Sequence, residues 1–383
     1  VQIWTPWALP FFEAHHDAIA SRASSWTSPV DDHAVTEVDL PEACRAIAAS
    51  LGEAGLLDLV VPEPGGKIDL RAVCIAREAI SYRSALADCV IAMQGIGTGA
   101  IWQAGTPAQM RYLAPARAGR SIAAFALTEP GSGSDVASIT TTATRDGNAY
   151  VLNGEKVYIS NAPFADHYVV LARTGEAPGA KGLSAFLVDA GTPGLSAGEA
   201  TELMAVHPAG PLSFRDCKVP ASALLGEAGR GFALAMSVFD IFRTSVGAAA
   251  IGMARRAFDE TVARVRERHL FGGAMAELPG VQNEIAAMGV DIELGALAVY
   301  RAAWAKDTTG GRCTHEASMA KLVGTEHAGR AIDRAVQIWG GMGVTRGSIV
   351  EQLYREVRAS RVYEGASEVQ KMVIGRGYLR KSG

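Results

Sequence analysis

Between Ser121 and about Leu225 the chain changes texture, and this change limits its possible folds more than any other feature. The runs SIAAFALT, SITTTATRDGNAYVLNGEKVYIS, HYVVLART, LSAFLVDA and LSFRDCKVP are short, alternating or β-branched, and broken by turn residues. On either side the apolar spacing is helical. LPEACRAIAASLGEAGLLDLVVP and LRAVCIAREAISYRS come before the block. After Gly226 follow GFALAMSVFDIFRTSVGAAAIGMARRAFDETVARVRERHLFG, VQNEIAAMGVDIELGALAVYRAAWAKD and HEASMAKLVGTEHAGRAIDRAVQIWGG, then two helices flanking YEGAS. The order is α, then β, then α. The β block predicts seven or eight antiparallel strands, with hairpin turns at Arg145-Asp146-Gly147-Asn148 and at Asn153-Gly154. The last block predicts four or five long helices in an antiparallel bundle. The expected domains are 1–120, 121–225 and 226–383.

At 383 residues, 49% of them hydrophobic, the chain has enough apolar surface for two or three packed domains. The 36 basic residues are scattered among 40 acidic ones, which argues against a nucleic-acid partner. No apolar run reaches the roughly 18 residues of a membrane span, so no membrane association is expected. The start, VQIWTPWALPFFEAHHDAIASR, lacks a basic segment followed by an apolar core, so a secretion signal is not expected. The five cysteines, Cys44, Cys74, Cys89, Cys217 and Cys313, are widely spaced and form no CxxC, which predicts free thiols in a cytoplasmic protein. His15 and His16 lie near Glu13 and Asp17; a solvated helix face is expected there, and no metal.

Five short stretches invite a chemical reading. In FALTEPGSGSDVASI, Gly131, Ser132, Gly133 and Ser134 follow a strand, and either an ordinary loop or a phosphate-binding nest fits them. QIWGGMGVTRG closes a helix with more glycines than a cap needs, so close approach of a ligand or another chain competes with a plain C-cap. In EKVYISNAP, Tyr158 and Ser160 share a strand face and could pack in the sheet or flank a flat heterocycle. In RERHLFGG, Arg268 ends a helix, where a cation suits the dipole. In YEGAS, Ser367 and Gln370 form a capping-box pattern, which leaves Glu364 just outside the helix beside Gly365.

Together and in this order, FALTEPGSGSDV, LNGEKVYISNA, RERHLFG, QIWGGMGV and YEGASEVQ resemble the acyl-CoA dehydrogenase family from about Leu40 onward. The resemblance implies an α+β fold: an N-terminal all-α domain, a middle antiparallel β-domain and a C-terminal four-helix bundle. It also implies FAD, in a homotetramer or dimer. Leu127 and Thr128 are then expected at the flavin ring and Ser134 at the pyrophosphate. Tyr158 takes the place of a Trp against one flavin face, and Ser160 that of a Thr beside flavin N5. Arg268, Phe271 and Gln282 would reach the adenosine end of a flavin held mainly by a neighbouring subunit, with Gln337, Gly340 and Gly341 closing over it. Ala366 and Glu368 fill places that often carry Thr and Gln near the cofactor.

Glu364 falls on the family's catalytic base, which removes the proton alpha to a thioester while a hydride leaves the beta carbon for flavin N5. Some members carry the base before the arginine of an Asp-x-x-Arg motif. Here that motif is FDIFR, and the position is Phe242, which cannot act as a base. Asp240, Arg243, Tyr363, Gly365 and Ser134 are expected on the substrate side, with acyl-CoA as substrate and an electron-transferring flavoprotein as acceptor. His207 and Pro208 depart from a Gly-Arg-type loop near CoA entry. Gly95, Gly97 and Gly99, in the helix expected to floor the acyl pocket, suggest a wide pocket for a branched or cyclic acyl group. The alternatives are a CoA-independent or carrier-protein-linked oxidase or monooxygenase of the same fold, and a non-enzymatic binding relative.

Overall fold

The computed structural model describes residues 10–379 apart from 33 and 37, so much of the aromatic start of the chain lies outside the described residues. The first helices are α1 (Ala14–Ser25), α2 (Leu40–Glu53), α3 (Leu70–Ser81), α4 (Ala85–Ala104) and α5 (Leu113–Arg117). Strands follow: β1 (Ala123–Ala126), β2 (Thr142–Asp146), β3 (Ala149–Ser160), β4 (His167–Arg173), β5 (Leu183–Asp189), β6 (Leu195–Ala197), β7 (Ala209–Pro220) and β8 (Leu224–Leu225). After the long helix α6 (Gly231–Glu267) come the short strands β9 (His269–Leu270) and β10 (Gly273–Ala274). The chain closes with α7 (Pro279–Thr309), α8 (Thr314–Trp339), α9 (Ile349–Ser360) and α10 (Ser367–Leu379).

Contacts group the chain into two compact units. One comprises Ser28–Ile68 and Cys89–Phe242, and holds the sheet. Its helix α2 starts with Pro41 in the first turn, and buries Leu40, Ala43, Cys44, Ile47, Ala48 and Leu51 at helical spacing. The eight-stranded sheet runs β6-β7-β3-β2-β4-β5-β8, with β1 paired to β4. It is mixed, which corrects the all-antiparallel expectation: β1 pairs with β4 in parallel, and β2 touches β4 in parallel at Thr142 and Arg173. Parallel neighbours need a long crossover, and the β1–β4 connection contains a whole hairpin.

The predicted turn at Gly147 joins β2 to β3, with φ 58°. The one expected at Asn153-Gly154 does not form. Gly154 instead lies inside β3 at a register shift against β7, with φ 150°, where a Cβ would meet Thr141 Oγ1 at 2.5 Å.

The three glycines of α4 likewise serve packing. A Cβ on Gly95 would overlap the Phe242 ring and lie 3.0 Å from Val60 Cβ. On Gly97 it would lie 2.6 Å from Ala123 Cβ, and on Gly99 2.9 Å from a Val238 methyl. Neighbouring side chains and backbone fill the space they leave, so these glycines do not open the expected wide pocket.

The other unit comprises Val1–Thr27, Asp69–Asp88 and Arg243–Gly383. Helix α3 is capped by Asp69, whose side chain accepts from Ala72 N, and is buried on nearly every face. Helices α7 and α8 pack along their length, and α8 also packs on α9 and α10. Gly324 of α8 crosses α6 at Gly247, where a Cβ would lie 2.7 Å from the Gly247 Cα, so only glycine allows this approach. Helices α4 and α6 are long and apolar enough to cross a membrane, contrary to expectation, but 78% and 83% of their apolar windows are buried inside the protein.

Candidate active site

The loop after β1 is held from behind by a buried ion pair. Lys156 Nζ, on β3, donates to Leu127 O at 3.1 Å and to Glu129 Oε1 at 2.8 Å. Glu129 also accepts from Thr140 N at 2.6 Å, Thr140 Oγ1 at 2.8 Å and Thr141 N at 2.9 Å. Burial alone would raise the Glu129 carboxyl, but the Lys156 ammonium and these donors hold it at about 2. Burial pulls Lys156 down to about 8, against the attraction of Glu129. Val157 N donates to Thr128 O at 2.9 Å. Both ends of the loop are therefore fixed, while its middle stays open: Gly131, Gly133 and Ser134 are exposed, and a Cβ on Gly131 would meet nothing within 4 Å.

Beside this loop β3 is irregular. A register shift lies between Lys156 and Ile159, and Tyr158 takes φ 57° while remaining 62% exposed. Ile159 is buried between it and the part-buried Ser160, whose Oγ lies 2.8 Å from His207 Nε2. A bare aromatic face, a hydroxyl two residues on and a pinned loop with open backbone fit a flat heterocycle joined to phosphate.

Glu364 lies between α9 and α10, in the helical unit. It takes φ 52° and Gly365 takes φ 91°, two successive left-handed residues. The loop is held by its carbonyls. Lys321 Nζ and Gln370 Nε2 each donate to Gly365 O at 2.8 Å, and Arg243 Nε donates to Glu364 O at 3.2 Å. The Glu364 Oε2 atom is buried without a hydrogen-bond partner. Burial raises the carboxyl above its ordinary value, against the pull of the Arg77, Lys321 and Arg243 cations. Arg77 is itself engaged by Asp88, at 2.8 and 2.7 Å, and by Ser245 Oγ at 2.8 Å. Burial pulls Lys321 down to about 8, with Glu364 opposing.

The expected capping box does not form. Ser367 Oγ donates to Glu326 at 2.6 Å, and Gln370 turns back to Gly365. A Cβ on Gly365 would overlap Gln370 Nε2, so the glycine admits this contact. Tyr363 and Ala366 are part-buried and Glu368 is exposed. Asp240 is buried on α6, one turn before Arg243.

The remaining candidates form an exposed set at one end of the helical unit. Arg268 follows α6, Phe271 is 95% exposed at φ 54° in the β9–β10 turn, and Gln282 donates to Ala276 O at 3.0 Å. The Arg264 guanidinium lies 4.7 Å from the centre of the Trp339 ring, and Trp339 Nε1 donates to Thr261 Oγ1 at 3.1 Å. These contacts bring the end of α8, with exposed Gln337, Gly340 and Gly341, to the end of α6. Only five non-glycine residues among those described have positive φ, and three of them are Tyr158, Phe271 and Glu364. Such backbone is costly for large side chains and concentrates at functional sites.

Sequence reasoning misses the pinning residues Glu129, Lys156 and Lys321, although Glu129 and Lys156 fall within the quoted motifs, and it reads Gln370 as a capping residue where the structure has it donate to Gly365 O. His15, His16 and Asp69 lie close enough to share a metal ion. Glu13 N donates to His16 Nδ1 at 2.9 Å, so the ring proton sits on Nε2 and faces Asp69, 3.2 Å away. That tautomer makes a hydrogen-bonded cluster in which His16 offers no lone pair.

Three stretches of the chain match acyl-CoA dehydrogenase domains in chain order: the N-terminal domain over residues 13–120, the middle domain over 124–217 and the C-terminal domain over 229–379. The chain belongs to the acyl-CoA dehydrogenase family, a family of flavin-dependent oxidoreductases. It is 34% identical to a 3-(aryl)acrylate reductase of Clostridium sporogenes, over 97% of this chain and 100% of that one. It is 37% identical to a cyclohexane-1-carbonyl-CoA dehydrogenase of Geobacter metallireducens, over 88% and 90% of the two chains. Among solved structures, PigA with FAD and proline superposes with a TM-score of 0.86 at 26% identity, covering 96% of this chain and 98% of that one.

Proposed function

We propose that this chain is an FAD-dependent acyl-CoA dehydrogenase in which Glu364 removes the proton alpha to the thioester carbonyl. The observation that carries this reading is the buried Glu364 Oε2, which has no partner and sits on strained backbone held in place through its carbonyls. A carboxylate in such a place is a stronger base than one in water, and its position is preset. FAD, when bound, supplies the acceptor for the hydride of the beta carbon. Leu127, Thr128, Tyr158 and Ser160 would hold its ring, and the open loop through Ser134 its phosphates. Arg243 and Lys321 keep the base loop in place, and Asp240 and Tyr363 serve the substrate side with Gly365.

The exposed Arg268, Phe271, Gln282, Gln337, Gly340 and Gly341 support a homo-oligomer in which a neighbouring subunit's flavin covers them. Ala366 and Glu368 stand at the edge of that site. An electron-transferring flavoprotein is the proposed acceptor, and the five free cysteines suit a reducing, cytoplasmic setting.

Anaerobic mixing with a panel of acyl-CoA thioesters tests the reading through bleaching of the flavin absorption. Glu364→Gln should retain FAD and lose reduction by about 10²–10⁴-fold or more. Retained reduction would remove Glu364 from the role, and turnover only in air without thioester would favour the oxidase. The reductase relative gives a specific reason to assay the reverse direction: a carboxyl with a raised pKa can also return a proton to the alpha carbon.

A further inference from the structure

His207 stands where the chain departs from the family pattern, and the function above leaves it unused. Its backbone is tightly placed: Ala209 N donates to His207 O at 2.9 Å, and Asn161 N donates to Pro208 O at 2.5 Å. Ser160 is paired with Ala209 across β3 and β7, so the serine and the histidine corner are built as one piece. His207 Nε2 lies 2.8 Å from Ser160 Oγ, and Cys89 Sγ of α4 lies 3.9 Å from the same nitrogen. No carboxylate among the described residues pairs with the ring. Its desolvation holds the imidazole at about 4, so it is neutral in neutral solution.

A neutral imidazole has one N–H and one lone pair. With the proton on Nε2, the ring donates to Ser160 Oγ and turns the serine proton outward as a donor. With the proton on Nδ1, Nε2 accepts a hydrogen bond from the serine hydroxyl and Oγ turns lone pairs outward. We propose that His207 is a positioning residue that acts through Ser160, setting whether the serine hydroxyl donates to or accepts from flavin N5. This rests on the flavin reading above. Either tautomer leaves the ring neutral, so the serine hydroxyl could face a bound flavin in either sense without adding charge to the site.

The first test uses the protein without cofactor. Nitrogen NMR of ¹⁵N-histidine-labelled chain should show the His207 ring shifts change on Ser160→Ala; identical shifts would mean the bond does not exist and would overturn the proposal. The second uses the FAD-loaded enzyme. His207→Ala and Ser160→Ala should each move the flavin midpoint potential and slow its reduction about tenfold, with no further change in the double variant. His207→Gln, which keeps a neutral donor and acceptor, should restore both. Additive losses with normal FAD binding would overturn this proposal alone. A chain that binds no FAD would fail the flavin reading and take the proposal with it.

Discussion

Substituting Gly95 by alanine has an outcome whose sign depends on Phe242. On an open helix face the change is favourable by about 1 kcal/mol, because glycine is a poor helix former. Here the new methyl would overlap Cε1 and Cζ of a fully buried Phe242 ring and press on Val60 at 3.0 Å. Interiors are packed to crystal density, and overpacking of this kind costs about 1–3 kcal/mol. The net expectation is a loss of about 0–2 kcal/mol. Phe242→Leu lacks the two overlapped atoms; it leaves a void and is itself destabilising. In that background Gly95→Ala should turn favourable, by about 1 kcal/mol, since the methyl now fills space. Thermal midpoints of the four proteins, at fixed scan rate and cofactor concentration, read the cycle. If Gly95→Ala stabilises the parent as much as the Phe242→Leu protein, and shifts acyl preference instead, the glycine makes room for substrate and the packing argument fails.

Two further expectations concern the pinned loops. Lys321→Met removes a charge-assisted hydrogen bond of the kind worth about 1.5–3 kcal/mol, partly offset by relief of the buried ammonium. It also removes a cation that lowers the Glu364 carboxyl, so the acid limb of the kcat/KM profile should move to higher pH; an unmoved limb would refute the coupling. Glu129 has its folded pKa held at about 2 against an ordinary 4.5, so its stabilisation is present above 4.5 and is lost as pH falls toward 2. Glu129→Gln should therefore flatten the fall of the thermal midpoint across that window, and equal slopes in the two proteins would contradict the assignment.

The helical blocks and the β block were legible because periodicity is a local property: the Leu40–Leu51 spacing shows its buried face directly. The parallel β1–β4 pair was not, since nothing near Ala123 says which strand it will meet. Asn153-Gly154 misled because a glycine before a bulge and one in a hairpin look alike until the Thr141 contact is seen. In the site, Tyr158, Ser160 and Glu364 stood out through their motifs. The groups that hold them did not: Lys156 reaches Glu129 across 27 positions and Lys321 reaches Gly365 across 44, and such pairings depend on the tertiary fold.

The two loops are held by opposite means, and the difference follows from what each is proposed to do. At Glu129 the carboxylate itself receives an ammonium and three further donors, which fixes the loop and leaves the acid inert at about 2. At Glu364 the donors go to the backbone carbonyls of Glu364 and Gly365, and the buried Oε2 is left without a partner. Moving any of those donors onto the carboxylate would hold the loop equally well and lower the pKa that proton abstraction needs raised. A base must be positioned without being neutralised, and gripping its main chain achieves this. The left-handed backbone at both residues fits that arrangement, because it turns successive carbonyls toward Arg243, Lys321 and Gln370.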